Sequence, residues 1–238
     1  MVEPTARFED VEIPVPEDVC GVRSLSGALG IPEWWPTGSR VGVVIAHDRG
    51  GDLRDPLIAG LHQGLTERGV LCLRFNFPFA QAGQRRPDRD PVLERAFWEA
   101  VQVLGRDPTA APAHLFLGGK GLGGPVAARL AMTRLRVEGL FFLGYPLHPP
   151  DHPEQVEADH LYRIISPMLF VQGTRDRTCD LDVLRRTLAR VGAPTTLHPV
   201  AEADHQLKVL KKSGRAPEEV VAEVLATLES WIRKVLGT

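Results

Sequence analysis

The sequence lacks the features that mark several functional classes. Its three cysteines, Cys20, Cys72 and Cys179, are too few and too scattered for a disulfide framework, and they show no C-x-x-C spacing. No apolar run approaches the roughly 18 residues that span a bilayer, and the first residues show neither the basic nor the apolar region of a secretory signal. We therefore expect a cytosolic protein with reduced thiols and no membrane partner.

Strong charge of one sign is also missing. The formal net charge is −2 and no long basic block occurs, so the electrostatic footprint of a nucleic-acid-binding protein is absent. A chain of 238 residues is long enough to bury a substantial core, and it contains no internal repeat and no low-complexity linker. We expect a single domain over residues 1–238, in which the proline-rich residues 1–35 form an irregular edge segment that contributes edge strands.

Short β-branched runs alternate with helical patterns, which predicts an α/β fold with a mostly parallel central sheet and helices on both faces. The predicted strands are 40–46, 70–77, 114–117, 137–143, 168–172 and 195–200. Asp55 followed by Pro56, and also Asp180, are typical N-terminal helix residues. The helices after them are predicted to end at Gly69 and Val191, another runs to about Arg134, and the last begins at Pro217.

A glycine cluster, residues 118–124, lies between the third predicted strand and the next helix. Gly119, Gly121 and Gly124 match the dinucleotide-binding pattern G-x-G-x-x-G. The acidic residue that this pattern requires about 20 positions later is absent, and two strand–helix units precede the cluster, although the pattern normally opens its domain. We therefore expect no NAD, no NADP and no other cofactor.

The same cluster fits a nucleophile elbow, G-x-S-x-G, in which Gly121 stands in the place of serine. An elbow holds its central residue in a strained backbone conformation that glycine adopts readily. It is followed by an acid after a late strand and a histidine after the last strand, and here Asp176 and His205 have those positions. Asp176 would then orient His205 toward position 121. In the alternative interpretation, Asp176 caps a turn and His205 is an ordinary loop residue.

With these residues the chain resembles the α/β-hydrolases related to dienelactone hydrolase, a branch whose eukaryotic relatives include a testis-expressed hydrolase-like protein and a regulatory subunit of a histone-acetyltransferase complex. The resemblance implies an α/β-hydrolase fold and ester-like substrates, and the family's GKSMGG or GRSMGG motif would place its serine at Gly121. The similar stretches follow the family's order: RFNFP at 74–78, RPDR at 86–89, the glycine cluster, GYPLHPP at 144–150, HL at 160–161, VQGTRD at 171–176 and DH at 204–205.

The resemblance also implies an oxyanion hole. The family's HGAG-like loop here begins His47-Asp48-Arg49, and it would supply one oxyanion N–H, while Leu122 would supply the other. A carboxylate at Asp48 would oppose a developing oxyanion if it pointed inward. Arg49 would either neutralise that carboxylate or point into water.

Three further side chains have two interpretations each. Cys179 follows Asp176 by three residues and is either a replacement nucleophile or, as we favour, a spectator cysteine. Tyr145 lines the cleft or packs, and His148 forms a pocket rim or a structural loop. No histidine shows the spacing of a helix-borne metal motif, so no metal is expected.

Two functional hypotheses follow. In the first, the protein is a pseudo-hydrolase that binds a small ligand or a protein partner. In the second, it hydrolyses ester-like substrates with a water molecule that His205 activates as general base, and Gly121 leaves room for that water.

Overall fold

In the computed structural model, which describes residues 5–133 and 135–238, the chain divides into two compact units. The first unit comprises residues up to Leu117 and the second begins at Gly118. The elements up to the boundary are β1 (Arg7–Pro14), α1 (Glu17–Cys20), β2 (Ser24–Ile31), β3 (Val41–Ala46), α2 (Pro56–Glu67), β4 (Leu71–Phe75), α3 (Pro78–Gln81), α4 (Asp90–Leu104) and β5 (His114–Lys120), which crosses it.

The second unit continues from the end of β5. Its elements are α5 (Gly123–Ala131), β6 (Gly139–Leu143), β7 (Met168–Gly173), α6 (Leu181–Leu188), β8 (Thr195–Val200) and α7 (Pro217–Leu236). No helix in the described part of the chain is long and apolar enough to cross a membrane.

Eight strands form a sheet in the order β1-β2-β4-β3-β5-β6-β7-β8. The pairs β3–β4, β6–β7 and β7–β8 are parallel, whereas β1–β2 and β2–β4 are antiparallel. The prediction of a mostly parallel sheet with helices is therefore confirmed. The residues before position 35 supply β1 at the sheet edge and β2 between β1 and β4.

The strands β3, β6 and β7 are buried along their whole length. Apart from Gln172 near the end of β7, their side chains form continuous apolar runs and not alternating ones. A parallel strand with both faces covered exposes neither set of side chains. The helices begin where the sequence places their caps. Asp55 accepts hydrogen bonds from the backbone N–H groups of Leu57 and Ile58, and Asp180 does the same for the first turn of α6.

Some predicted boundaries are wrong by a few residues. β4 ends at Phe75 rather than 77, α6 ends at Leu188 rather than Val191, and β5 continues three residues into the glycine cluster. α5 ends at Ala131; its predicted end, Arg134, lies outside the described residues.

Candidate functional site

A tight turn at Gly121 joins β5 to α5. Gly121 has a φ of +49°, in the left-handed region that side chains other than glycine rarely adopt. Its N–H donates to the carbonyl oxygen of Leu143 at 2.9 Å, and its own carbonyl accepts from Gly124 N–H at 3.1 Å. Leu122 caps the helix with helical backbone angles. The turn thus has the strand–turn–helix shape that a nucleophile elbow requires.

Gly118 and Gly119, which precede the last residue of β5, allow close packing. A Cβ at Gly118 would overlap with the ring of Phe141, and a Cβ at Gly119 would overlap with the backbone of Gly123. β5 therefore lies closer to the Phe141 ring of β6 and to the start of α5 than any side chain would permit. Packing accounts for these glycines, and no phosphate ligand is needed to explain them.

Asp176 and His205 lie in contact. The Nδ1 atom of His205 is 2.9 Å from Oδ2 of Asp176, and the Asp176 side chain is completely buried while that of His205 is 25% exposed. A proton on Nδ1 donated to the carboxylate leaves Nε2 as the basic nitrogen of the neutral ring. The two side chains therefore form a hydrogen-bonded pair.

Two residues that sequence analysis did not single out complete the environment of the carboxylate. Oδ1 of Asp176 accepts from the backbone N–H and the hydroxyl of Thr178, each at 2.7 Å. Oδ2 accepts from the side-chain amide of Gln172 at 2.6 Å in addition to His205. The Thr178 hydroxyl oxygen also lies 2.9 Å from His205 Nδ1. Each carboxylate oxygen therefore has two partners, as a buried charge requires.

Two further glycines allow the histidine loop to reach this position. A Cβ at Gly144, which has a φ of +65°, would overlap with the carbonyl oxygen of His205. A Cβ at Gly173 would overlap with the carbonyl oxygens of Ala203 and Asp204. Gly144 directly follows Leu143, the residue that accepts the hydrogen bond of Gly121. Gly121 and His205 are therefore both anchored at the same end of β6.

Tyr145 is almost fully buried and packs against the rings of Phe142 and Phe170. Its hydroxyl is hydrogen-bonded to His160, and burial raises its pKa. Its backbone N–H donates to Gln172 at 2.8 Å. These contacts favour the packing interpretation of Tyr145 over that of a cleft residue.

His148 uses both ring nitrogens in backbone contacts. Nδ1 lies 2.9 Å from the Pro149 carbonyl oxygen, and Nε2 accepts from Asp180 N–H at 2.8 Å. The backbone N–H groups of Leu147 and His148 donate to the carbonyl oxygen of Thr178. These bonds favour the structural-loop interpretation, in which residues 147–149 hold the loop that carries Asp176.

Cys179 is buried. Burial, and next the negative charges of Asp176 and Asp180, raise the pKa of its thiol. Since the thiolate is the reactive form, these surroundings favour the spectator interpretation.

The residues predicted for an oxyanion loop, His47, Asp48 and Arg49, belong to the first unit, whereas Gly121 and the pair described above belong to the second. The Nδ1 atom of His47 lies 2.7 Å from the Asp48 carbonyl oxygen, and its Nε2 accepts from Phe77 N–H at 2.9 Å. Burial lowers the pKa of His47, so the ring is a neutral structural link. Asp48 is buried and Arg49 is exposed.

Within residues 5–133 and 135–238, no group of three or more histidine, cysteine or acidic side chains is arranged to hold a metal ion.

Comparison with known proteins gives one consistent result. A family model described as an alpha/beta hydrolase domain matches residues 39–233. The chain is similar to the dienelactone hydrolase of Anabaena variabilis, with a TM-score of 0.71 and 19% identity over 97% of this chain and 98% of that one. It is also similar to a putative α/β hydrolase from Agrobacterium tumefaciens, with a TM-score of 0.73 and 20% identity over 96% of this chain and 97% of that one. A serine hydrolase homologue from Coxiella burnetii has a TM-score of 0.71 and 20% identity over 92% of this chain and 95% of that one. At these identities the likeness to the solved structures concerns the fold.

Proposed function

Because the chain belongs to the α/β-hydrolase family, we propose that it is a pseudo-hydrolase, which binds a small ester-like ligand, or else a protein partner, without forming an acyl-enzyme. The observation that carries this proposal is Gly121, with a φ of +49° at the strand–helix turn. In an elbow the side chain at this place attacks the substrate, and glycine offers no atom for that attack.

Two described side chains near the acid, Cys179 and Thr178, are poor replacement nucleophiles. Cys179, which follows Asp176 by three residues, is buried, and the pKa of its thiol is raised. Thr178 contacts the pair, but its hydroxyl donates to Asp176 and lies on the Nδ1 side of His205. In a triad the attacking hydroxyl lies on the Nε2 side. We therefore expect no side chain to act as the nucleophile that covalent catalysis requires.

The pair of Asp176 and His205 supports binding. A buried acid with four hydrogen-bonding partners fixes the ring of His205, and a fixed imidazole is a polar anchor that needs no reorganisation when a ligand arrives. We propose that His205 contacts the ligand and that Asp176 is a positioning residue.

A second candidate, hydrolysis by a water molecule that His205 activates, is favoured by the same 2.9 Å contact. It sets the tautomer with a basic Nε2, as a general base requires.

One experiment separates these functions. The unmodified protein, Gly121→Ala and His205→Ala are assayed on activated short-chain ester, thioester and lactone substrates, and binding of the same acyl groups as non-hydrolysable amides is measured by calorimetry. A pseudo-hydrolase binds an amide, loses binding in His205→Ala and shows no turnover above buffer.

Catalysis by an activated water molecule gives turnover without a burst, and both variants abolish it. His205→Ala removes the general base, and the Gly121→Ala methyl takes the place of the water. Burst-forming esterase activity in the unmodified protein contradicts both proposals. No amide binding and no turnover would leave a protein partner as the occupant of the pseudo-hydrolase.

The finer assignment to the branch with the testis-expressed and acetyltransferase-complex relatives, the single domain over 1–238 and the cytosolic location stay predictions.

A further inference from the structure

The first unit contains a cavity of about 460 Å³, which is within the range of roughly 300–1,000 Å³ typical of small-molecule sites. It is formed by β1, β2, β4 and α2, and its wall includes Phe8, Asp10, Ala28, His62, Gln63 and Arg74. None of the residues discussed under the proposed function lines it. A role for this cavity would therefore add to that function.

Two buried nitrogen atoms in the cavity wall have no partner with good hydrogen-bond geometry among the described residues. They are Nε2 of His62 and Nε of Arg74, although another nitrogen of Arg74 donates to the carbonyl oxygen of Leu53. The backbone of Ala28 and of Cys72 lies close enough to the His62 ring to act on its pKa. His62 is only 2% exposed. Buried polar atoms without a hydrogen bond are rare in folded proteins, so this pair points to a polar group that binds at this wall.

The strand register places opposite charges on one face. Asp10 is opposite Ala28, and Ala28 is opposite Arg74; residues directly opposite each other share a face of the sheet. Asp10 and Arg74 are thus two strands, or about 10 Å, apart, and the small side chain of Ala28 lies between them. Among the described residues no salt bridge joins the two side chains, although the charge of Asp10 acts on the pKa of Arg74. A ligand lying over Ala28 would contact both groups.

The cavity also presents an aromatic surface. Phe8 is 49% exposed, and its ring centroid is 5.6 Å from that of His62. Burial, and next the positive charge of Arg74, lower the pKa of His62 to about 4. The imidazole is therefore neutral at pH 7 and does not repel a cation. Exposed apolar rings beside convergent polar groups are typical of ligand sites.

We propose that this cavity binds a small zwitterion of the amino-acid type with an apolar side chain. Its carboxylate accepts from Arg74, its ammonium group pairs with Asp10, and its side chain packs against Phe8. A simple anion would meet the negative charges of Asp10 and of Glu9, which also lines the cavity, and a simple cation would meet Arg74. Only a ligand with both charges satisfies both sides.

The test is a calorimetric titration of the full chain with L-phenylalanine, phenylacetate and phenethylamine, which differ in having both charges, only the carboxylate or only the ammonium group. We expect the Kd of L-phenylalanine to be at least about tenfold lower than that of either analogue, which corresponds to about 1.4 kcal/mol. The ring resonances of His62 in an NMR spectrum should shift with L-phenylalanine. Absence of saturable binding, or equal affinity for phenylacetate, overturns the proposal.

A pair of variants on β1 provides a control that does not disturb the core. Asp10 and Glu12 are exposed and share a face, but only Asp10 lines the cavity. Asp10→Asn should raise the Kd of L-phenylalanine about tenfold without weakening phenylacetate, whereas Glu12→Gln should change neither. Equal effects of the two substitutions would show that general surface charge, and not a site, governs binding.

Discussion

Replacement of Gly121 by serine tests the elbow directly. A residue other than glycine in the left-handed region costs roughly 1–2 kcal/mol, and Gly121 has a φ of +49°. For a chain of 238 residues, each kcal/mol lowers Tm by about 2–4 °C. We therefore expect a Tm that is lower by roughly 2–8 °C in Gly121→Ser. Gly121→Ala is the matched control, since it pays the same backbone strain and adds no hydroxyl.

The hydroxyl should also bring activity. General base catalysis contributes typically 10²–10⁴-fold, and His205 is already oriented by Asp176. Gly121→Ser should therefore hydrolyse an activated short-chain ester roughly 10²-fold or more faster than Gly121→Ala. An acyl-enzyme burst should accompany the reaction, and His205→Ala in the same background should remove this gain.

The assay is stopped-flow release of a chromophoric leaving group, together with labelling by a serine-reactive phosphonate and mass measurement of the adduct. A folded Gly121→Ser protein that is inert to ester and phosphonate alike would refute the reasoning, because position 121 would then not face His205. A Tm equal to that of the unmodified protein would refute the strain argument alone.

Two further predictions concern the stability of a variant at Gly173 and the binding of NAD at the glycine cluster. Gly173→Ala should destabilise the protein by roughly 1–3 kcal/mol, because its methyl overlaps with the carbonyl oxygens of Ala203 and Asp204. Gly192→Ala is the control, since Gly192 is exposed and has open space around it. Equal denaturation midpoints of the two variants would contradict the packing argument. Calorimetric titration with NAD and NADP should show no binding, since the G-x-G-x-x-G pattern lacks its ribose-binding acid; micromolar affinity for either would contradict the elbow interpretation.

The sequence predicts the elements where local chemistry is sufficient. Asp55 and Asp180 mark helix starts because a short acceptor side chain satisfies the first N–H groups of a helix, and β8 has its predicted bounds, 195–200. The four-residue helices α1 and α3 escape prediction because they are too short to show a periodicity. The order of an acid and a histidine after late strands predicts contact between Asp176 and His205, which lie 2.9 Å apart.

The remaining site residues depend on tertiary approach, which a sequence pattern does not contain. Gln172 sits inside the apolar run of β7, where nothing marks it as a partner of Asp176. Thr178 carries a weak signal, since a hydroxyl two residues after an aspartate commonly bonds back to it. The cavity at Ala28 could not be predicted from the sequence. Its charged residues lie on different strands, and only the pairing register of those strands brings them close together.

The seating of the histidine loop on Gly144 and Gly173 has a consequence for motion. The loop touches the ends of β6 and β7 through backbone atoms, and Arg175 N–H donates to the carbonyl oxygen of Ala203 at 2.8 Å. These contacts are made mainly by backbone atoms, so a change of side-chain rotamer does not release them. We therefore expect the backbone of His205 to move with the ends of β6 and β7, and the exposure of Asp176 to require local opening of this packed loop, which is slower than the motion of an exposed loop.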